Sequence, residues 1–175
     1  EAKEEGLFYD YIRNFGYGKP TGVELAGEAA GIMIPEEKLS DLNIGTISIG
    51  QGISVTPLQM VSAVSAVVNG GNLLKPQIIK RIVDNDGNVI RDFQVKEVRR
   101  VISEDSSSVM RDILESVVAE GTGRQAYVEG YRVGGKTGTA QKAGKGGYLP
   151  GKYVASFIGV APCDDPQITV LVMID

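Results

Sequence analysis

The chain has 175 residues, a net charge of −4, a single cysteine and no histidine. A His-dependent triad and a His-ligated metal are therefore excluded, no cofactor is indicated, and the acidic balance argues against nucleic acid, whose phosphates call for a basic surface. Cys163 permits no internal disulfide and reads as an inert loop thiol, and no apolar run approaches the ~18 residues of a membrane helix.

In chain order, Leu7, Phe8, Tyr11, Ile12 and Phe15 recur at helical spacing and stop at Gly16. Residues 16–56 read as irregular, punctuated by Gly16, Gly18, Pro20, Gly22, Gly27, Gly31 and Pro35, and such a long loop is usually functional or packed on a partner element. Thr56-Pro57 then supplies an N-cap and a first-turn proline for a buried helix to Val68, ended by Asn69-Gly70-Gly71. Ile78–Val83 and Val89–Phe93 flank Asn85-Asp86-Gly87 and read as a hairpin. Ser103 caps a second helix, with Glu104 and Asp105 in its first turn and an apolar stripe ending at Gly121. Three strand candidates follow, at about 131–141, Tyr153–Val160 and Ile168–Ile174. Helices followed by consecutive strands with short links predict an α+β fold, an antiparallel sheet flanked by helices.

The stretch 130–144, GYRVGGKTGTAQKAG, supports two incompatible readings. From Gly130 it matches the phosphate-binding pattern G-x-x-x-x-G-K-T, which requires a helix to start at the Lys-Thr pair. The residues after Thr137 contain four glycines and no apolar helical stripe, which disfavours that reading. From Lys136 it reads as an extended strand. Alternation then puts the Thr137 and Thr139 hydroxyls on one face, where they can donate to a carboxylate, with Lys136 and Gly138 on the other. Gly138 would let another backbone approach closely, and the Thr139 amide could serve an oxyanion. A Gly-rich hairpin with solvated lysines fits the spacing as well.

A series of ordered segments bears on the choice. They are Phe8-Tyr9-Asp10-Tyr11-Ile12 leading to Phe15-Gly16-Tyr17-Gly18 and Thr21-Gly22; Ile49-Gly50-Gln51-Gly52 with Val55-Thr56-Pro57-Leu58-Gln59; Asn69-Gly70-Gly71; Glu120-Gly121-Thr122-Gly123; Gly135-Lys136-Thr137-Gly138-Thr139-Ala140; and Ser156-Phe157-Ile158-Gly159. Together, over Phe8 to Asp175, they resemble the C-terminal half of a class B penicillin-binding protein transpeptidase domain, of the stage V sporulation protein D and division type.

The resemblance implies a partial penicillin-binding (serine β-lactamase-like) fold over residues 1–175, cut on its N-terminal side and before a C-terminal helix that packs on the sheet. It implies a peptidoglycan D,D-transpeptidase that forms a serine acyl-enzyme on a D-Ala-D-Ala stem and binds β-lactams. Lys136 then matches the catalytic lysine of the K-T-G motif, and Thr137, Gly138 and Thr139 match its substrate-binding strand. Gln51 becomes a substrate-contact candidate, against a structural turn. Tyr148 and Tyr153 are candidates for the cleft rim, against plain hairpin packing. No serine here has Lys three positions later or Asn two positions later, so the S-x-x-K and S-x-N motifs are absent. The nucleophile is expected in a missing N-terminal half, and this chain alone is expected to be inactive. That loss would leave apolar patches on the helices near residues 7–15 and 57–68. The parent would sit outside the cytoplasmic membrane on one N-terminal anchor, with no membrane contact by this segment. The alternative is a non-catalytic binding module of the same fold.

Overall fold

The computed structural model describes residues 2–175, with side chains from Gly6 onward. Helix α1 (Ala2–Asn14) ends at the left-handed Gly16. Its buried residue is Tyr9, whose hydroxyl donates to the Ile34 carbonyl, while Leu7 and Tyr11 face solvent. The apolar exposure expected near residues 7–15 is thus present.

The stretch read as irregular holds a one-turn 3-10 helix (Glu36–Lys38) and an α-helix, α2 (Asp41–Ser48), which starts with a reciprocal cap between Ser40 and Asn43. Its apolar pattern is too short and too weak for periodicity to reveal. The loop before it is organised by a half-buried carboxylate. The Glu28 carboxylate accepts from the Thr21 amide (2.7 Å), the Thr21 hydroxyl (2.5 Å) and the Gly22 amide (2.9 Å).

Helix α3 (Pro57–Val68) starts as the sequence predicts, with Thr56 and Gln59 capping each other reciprocally. Ala63, Ala66 and Val68 are buried, and no large apolar residue of α3 is exposed. The patch expected on this helix is therefore not found. Small side chains let α3 sink between its neighbours, and the uncovered apolar surface lies on the sheet instead.

Two short antiparallel ribbons follow. Strand β1 (Asn72–Leu74) pairs with β4 (Glu97–Arg100), and β2 (Arg81–Val83) pairs with β3 (Val89–Asp92) around left-handed Gly87. The predicted hairpin is present, although β2 begins at Arg81 and not at Ile78. Helix α4 (Glu104–Ala119) is capped by Ser103.

The remaining strands, β5 (Gly134–Gly144), β6 (Gly147–Ala161) and β7 (Ile168–Ile174), form an antiparallel sheet in that order. Strand β5 begins at Gly134, because Tyr131 to Val133 close a turn first, and β6 starts earlier than Tyr153. Val160 of β6 is buried with Val68 of α3 and Leu114 of α4. The opposite face of β7 presents Ile168, Val170, Val172 and Ile174, 52–69% exposed. A contiguous apolar row of this kind is a surface built to be covered.

Candidate functional site on an edge strand

Residues 134–144 are extended throughout, and no helix starts at Thr137. The phosphate-loop reading is thereby overturned: four glycines and no apolar stripe after Thr137 leave a strand as the stable form.

Strand β5 lies at the edge of its sheet, with β6 as its neighbour. Register pairs Thr137 with Phe157 and Thr139 with Ala155, and Lys136 with Ile158. Thr137 and Thr139 therefore share the face away from the buried Ile158 and Val160 side, and Lys136 and Gly138 alternate with them. Lys136 is exposed, and its ammonium curls along its own strand to donate to the Thr137 carbonyl at 3.0 Å. Gly138 is half-buried, and a Cβ there would come within 2.7 Å of the Ser156 hydroxyl. The close approach at this glycine is made by a side chain of β6.

Two neighbours fix this strand in place. The Phe157 ring lies across Gly135, where a Cβ would meet Phe157 Cζ at 2.4 Å and the Ile158 carbonyl at 2.6 Å. The same ring reaches Gly123, just past α4. Thr122 beside it places its hydroxyl 3.2 Å from that of Thr137. At the strand's start, Arg132 grips Glu115 of α4 with two donors, at 2.8 and 2.6 Å. That donation holds the Glu115 carboxyl below the usual carboxylate range. The Arg132 carbonyl in turn accepts from the Cys163 amide, and burial pushes the Cys163 thiol up, as suits an inert sulfur.

Gln51 follows α2 in a turn between left-handed Gly50 and Gly52, and its amide donates to the Thr46 carbonyl. The Gly52 amide donates to the Tyr148 hydroxyl at 3.1 Å, joining this turn to the β5–β6 hairpin. Tyr148 pairs with Ala143, four residues beyond Thr139, or about 13 Å along a strand. The structure therefore brings Gln51 to the hairpin end of β5 and not to Lys136. Tyr153, also a rim candidate, is exposed opposite Gln141 and reaches no such partner among the hydrogen bonds of the described residues.

Thr122 received no role from sequence reasoning, although its segment Glu120-Gly121-Thr122-Gly123 stood among the family-like pieces. The usable signal was a threonine between two glycines that a closely packed turn requires, since a Cβ at Gly121 would meet the Val117 carbonyl at 2.9 Å.

The strand sets two threonine hydroxyls on one face and an exposed lysine beside them in sequence, and comparison with known proteins assigns the chain's class. The profile of the penicillin binding protein transpeptidase domain matches residues 3–175. The chain belongs to this family of penicillin-binding D,D-transpeptidases. It is 51% identical over 173 residues to stage V sporulation protein D of Bacillus subtilis, which covers 98% of the chain and 27% of that protein. It is 39% identical to penicillin-binding protein PbpB of Mycolicibacterium smegmatis, covering 96% of the chain and 27% of that protein. Among solved structures, penicillin binding protein 3 from Mycobacterium tuberculosis, complexed with ampicillin, superposes with a TM-score of 0.89 at 38% identity. That match covers 95% of the chain and 39% of the solved one. The chain thus spans roughly a quarter of the curated relatives' length.

Proposed function

We propose that this chain is the substrate-binding part of a peptidoglycan D,D-transpeptidase. The reading rests on one observation: an edge strand with Thr137 and Thr139 on one face and the Lys136 ammonium exposed beside them. The two hydroxyls donate to the terminal carboxylate of a D-Ala-D-Ala stem or of a β-lactam. Lys136 supplies positive charge next to that carboxylate and supports proton transfer. The Thr139 amide donates to the oxygen that becomes negative when a serine attacks the scissile carbonyl.

The serine belongs to polypeptide outside this chain, since no serine here stands in an S-x-x-K pattern. Its oxygen bonds to the carbonyl carbon, D-Ala leaves with the proton, and an amine of a second stem then takes the acyl group. The exposed row Ile168, Val170, Val172 and Ile174 is the surface on which further chain of the same domain packs. Among the described residues, no helix is long and apolar enough to cross a membrane. The whole protein is anchored elsewhere and works outside the cytoplasmic membrane.

A fluorescent penicillin tests this reading on a denaturing gel. The whole protein that carries this chain should be labelled, a Thr137→Val variant only weakly, and the 175-residue chain alone not at all. Labelling of the isolated chain would refute the placement of the nucleophile.

A further inference from the structure

Beyond Thr139 and Ala155 the β5–β6 hairpin runs on without the third strand, and its register shifts between Gln141 and Ala143. Two-stranded ribbons standing alone in water are marginal, so what anchors this one matters. Among the described residues, two side-chain contacts tie it to the rest of the chain. Lys142 pairs with Asp175 after β7, and the Tyr148 hydroxyl accepts the Gly52 amide across 96 positions of sequence. Within the ribbon, Leu149 fills the space over Gly144, where a Cβ would meet its Cδ2 at 2.5 Å.

The Gly52 side of the contact is tied to α2 by backbone hydrogen bonds. Gly50 donates to the Ile47 carbonyl at 2.9 Å and Gln51 to the Thr46 carbonyl at 3.1 Å, so the turn is bound to the end of α2. Gly50 and Gly52 both have positive φ, which fixes the direction in which the Gly52 amide points. The hairpin has fewer ties to the rest of the chain than the turn it meets.

We propose that Tyr148 is a positioning residue of the acyl-transfer site, a clasp that closes the β5–β6 hairpin on the Gly50–Gln51–Gly52 turn and so completes a wall of the cleft beyond Thr139. This rests on the function proposed above and assigns a specificity role within it. The closed wall lies along the strand past the carboxylate-binding hydroxyls, where the rest of an acyl donor extends. The clasp sets how tightly the donor is held before reaction, not how fast its carbonyl is attacked.

The test is stopped-flow acylation of the whole protein by a fluorescent penicillin, with Tyr148→Phe and Tyr148→Ala variants. Loss of one neutral hydrogen bond predicts about two- to tenfold weaker pre-covalent binding in Tyr148→Phe, with an unchanged maximal acylation rate. Hydrogen exchange read by mass spectrometry on a peptide covering Gly50–Ser54 should show the Gly52 amide exchanging faster in the same variant. If Tyr148→Phe matches the wild type and only Tyr148→Ala is impaired, ring packing is all that counts and the clasp is refuted. A fall in the maximal rate with binding intact would also overturn it, as would unaltered exchange at Gly52. A wild-type protein that does not react with penicillin would overturn the function reading itself, and the clasp with it.

Discussion

Gln59 is 1% exposed and makes three backbone hydrogen bonds. Its Oε1 accepts from the Thr56 amide at 2.8 Å, and its Nε2 donates to the Lys19 and Ala30 carbonyls at 2.8 and 2.9 Å. One side chain thus caps α3 and pins the 16–31 loop onto it. Gln59→Leu keeps the volume and strands all three partners. At about 1 kcal/mol each, the lower end for buried groups left unpaired, the loss is about 3 kcal/mol. For a domain of this size class that lowers Tm by about 6–12 °C. Thr56→Ala removes only one half of the reciprocal cap and should cost about 1 kcal/mol. Gln59→Glu adds a sharper test, because a buried carboxylate would then face two carbonyl oxygens and its folded-state pKa must rise. Its protonated form can donate, so the variant's deficit is smallest below the ordinary glutamate pKa of about 4.3 and grows as pH rises through the raised value. Differential scanning calorimetry of the whole protein between acid and neutral pH reads both. A Gln59→Leu transition within 2 °C of wild type, or a Gln59→Glu deficit flat with pH, would refute the reasoning.

Further outcomes follow from the same geometry. Gly135→Ala drives a methyl into Phe157 Cζ and the Ile158 carbonyl and should destabilise by about 1–3 kcal/mol in urea unfolding. Phe157→Leu on that background should recover only part, since the carbonyl clash remains. Lys136→Ala should slow acylation by a fluorescent penicillin about 10²-fold or more. Thr137→Val should weaken pre-covalent binding at least about tenfold, the worth of a hydrogen bond to a charged acceptor. Glu115→Gln tests the strand's hinge. Glu115 is held below its ordinary range by Arg132, so the pair's contribution is present above the usual carboxylate pKa and lost as pH falls through the lowered value. Half-exposed Arg132 limits it to about 1 kcal/mol or less, so the gap in Tm between wild type and variant should be small at pH 7 and vanish in acid.

What was legible in the sequence was what local chemistry decides. Thr56-Pro57 and Ser103 announced helices α3 and α4 because a side-chain oxygen and a fixed φ act within one turn. The facing of Thr137 and Thr139 followed from the two-residue period of a strand, which no tertiary contact can alter without a bulge, and the bulge here falls after Gln141. Helix α2 escaped because eight residues with one buried side chain give periodicity too little to register. Tyr148 was a rim candidate, but its tie to Gly52 escaped for a different reason. Its partner is a backbone amide 96 residues away, and an amide carries no residue identity for a pattern to detect. The same holds for Gln59, whose acceptors are the carbonyls of Lys19 and Ala30. In this chain the chemistry proposed for β5 is written in its own side chains, whereas the placement of the loops around it is written in bonds from distant side chains to the backbone. Variants of Lys136 or Thr137 should therefore alter reaction or binding with little change in Tm, and variants of Gln59 should do the reverse.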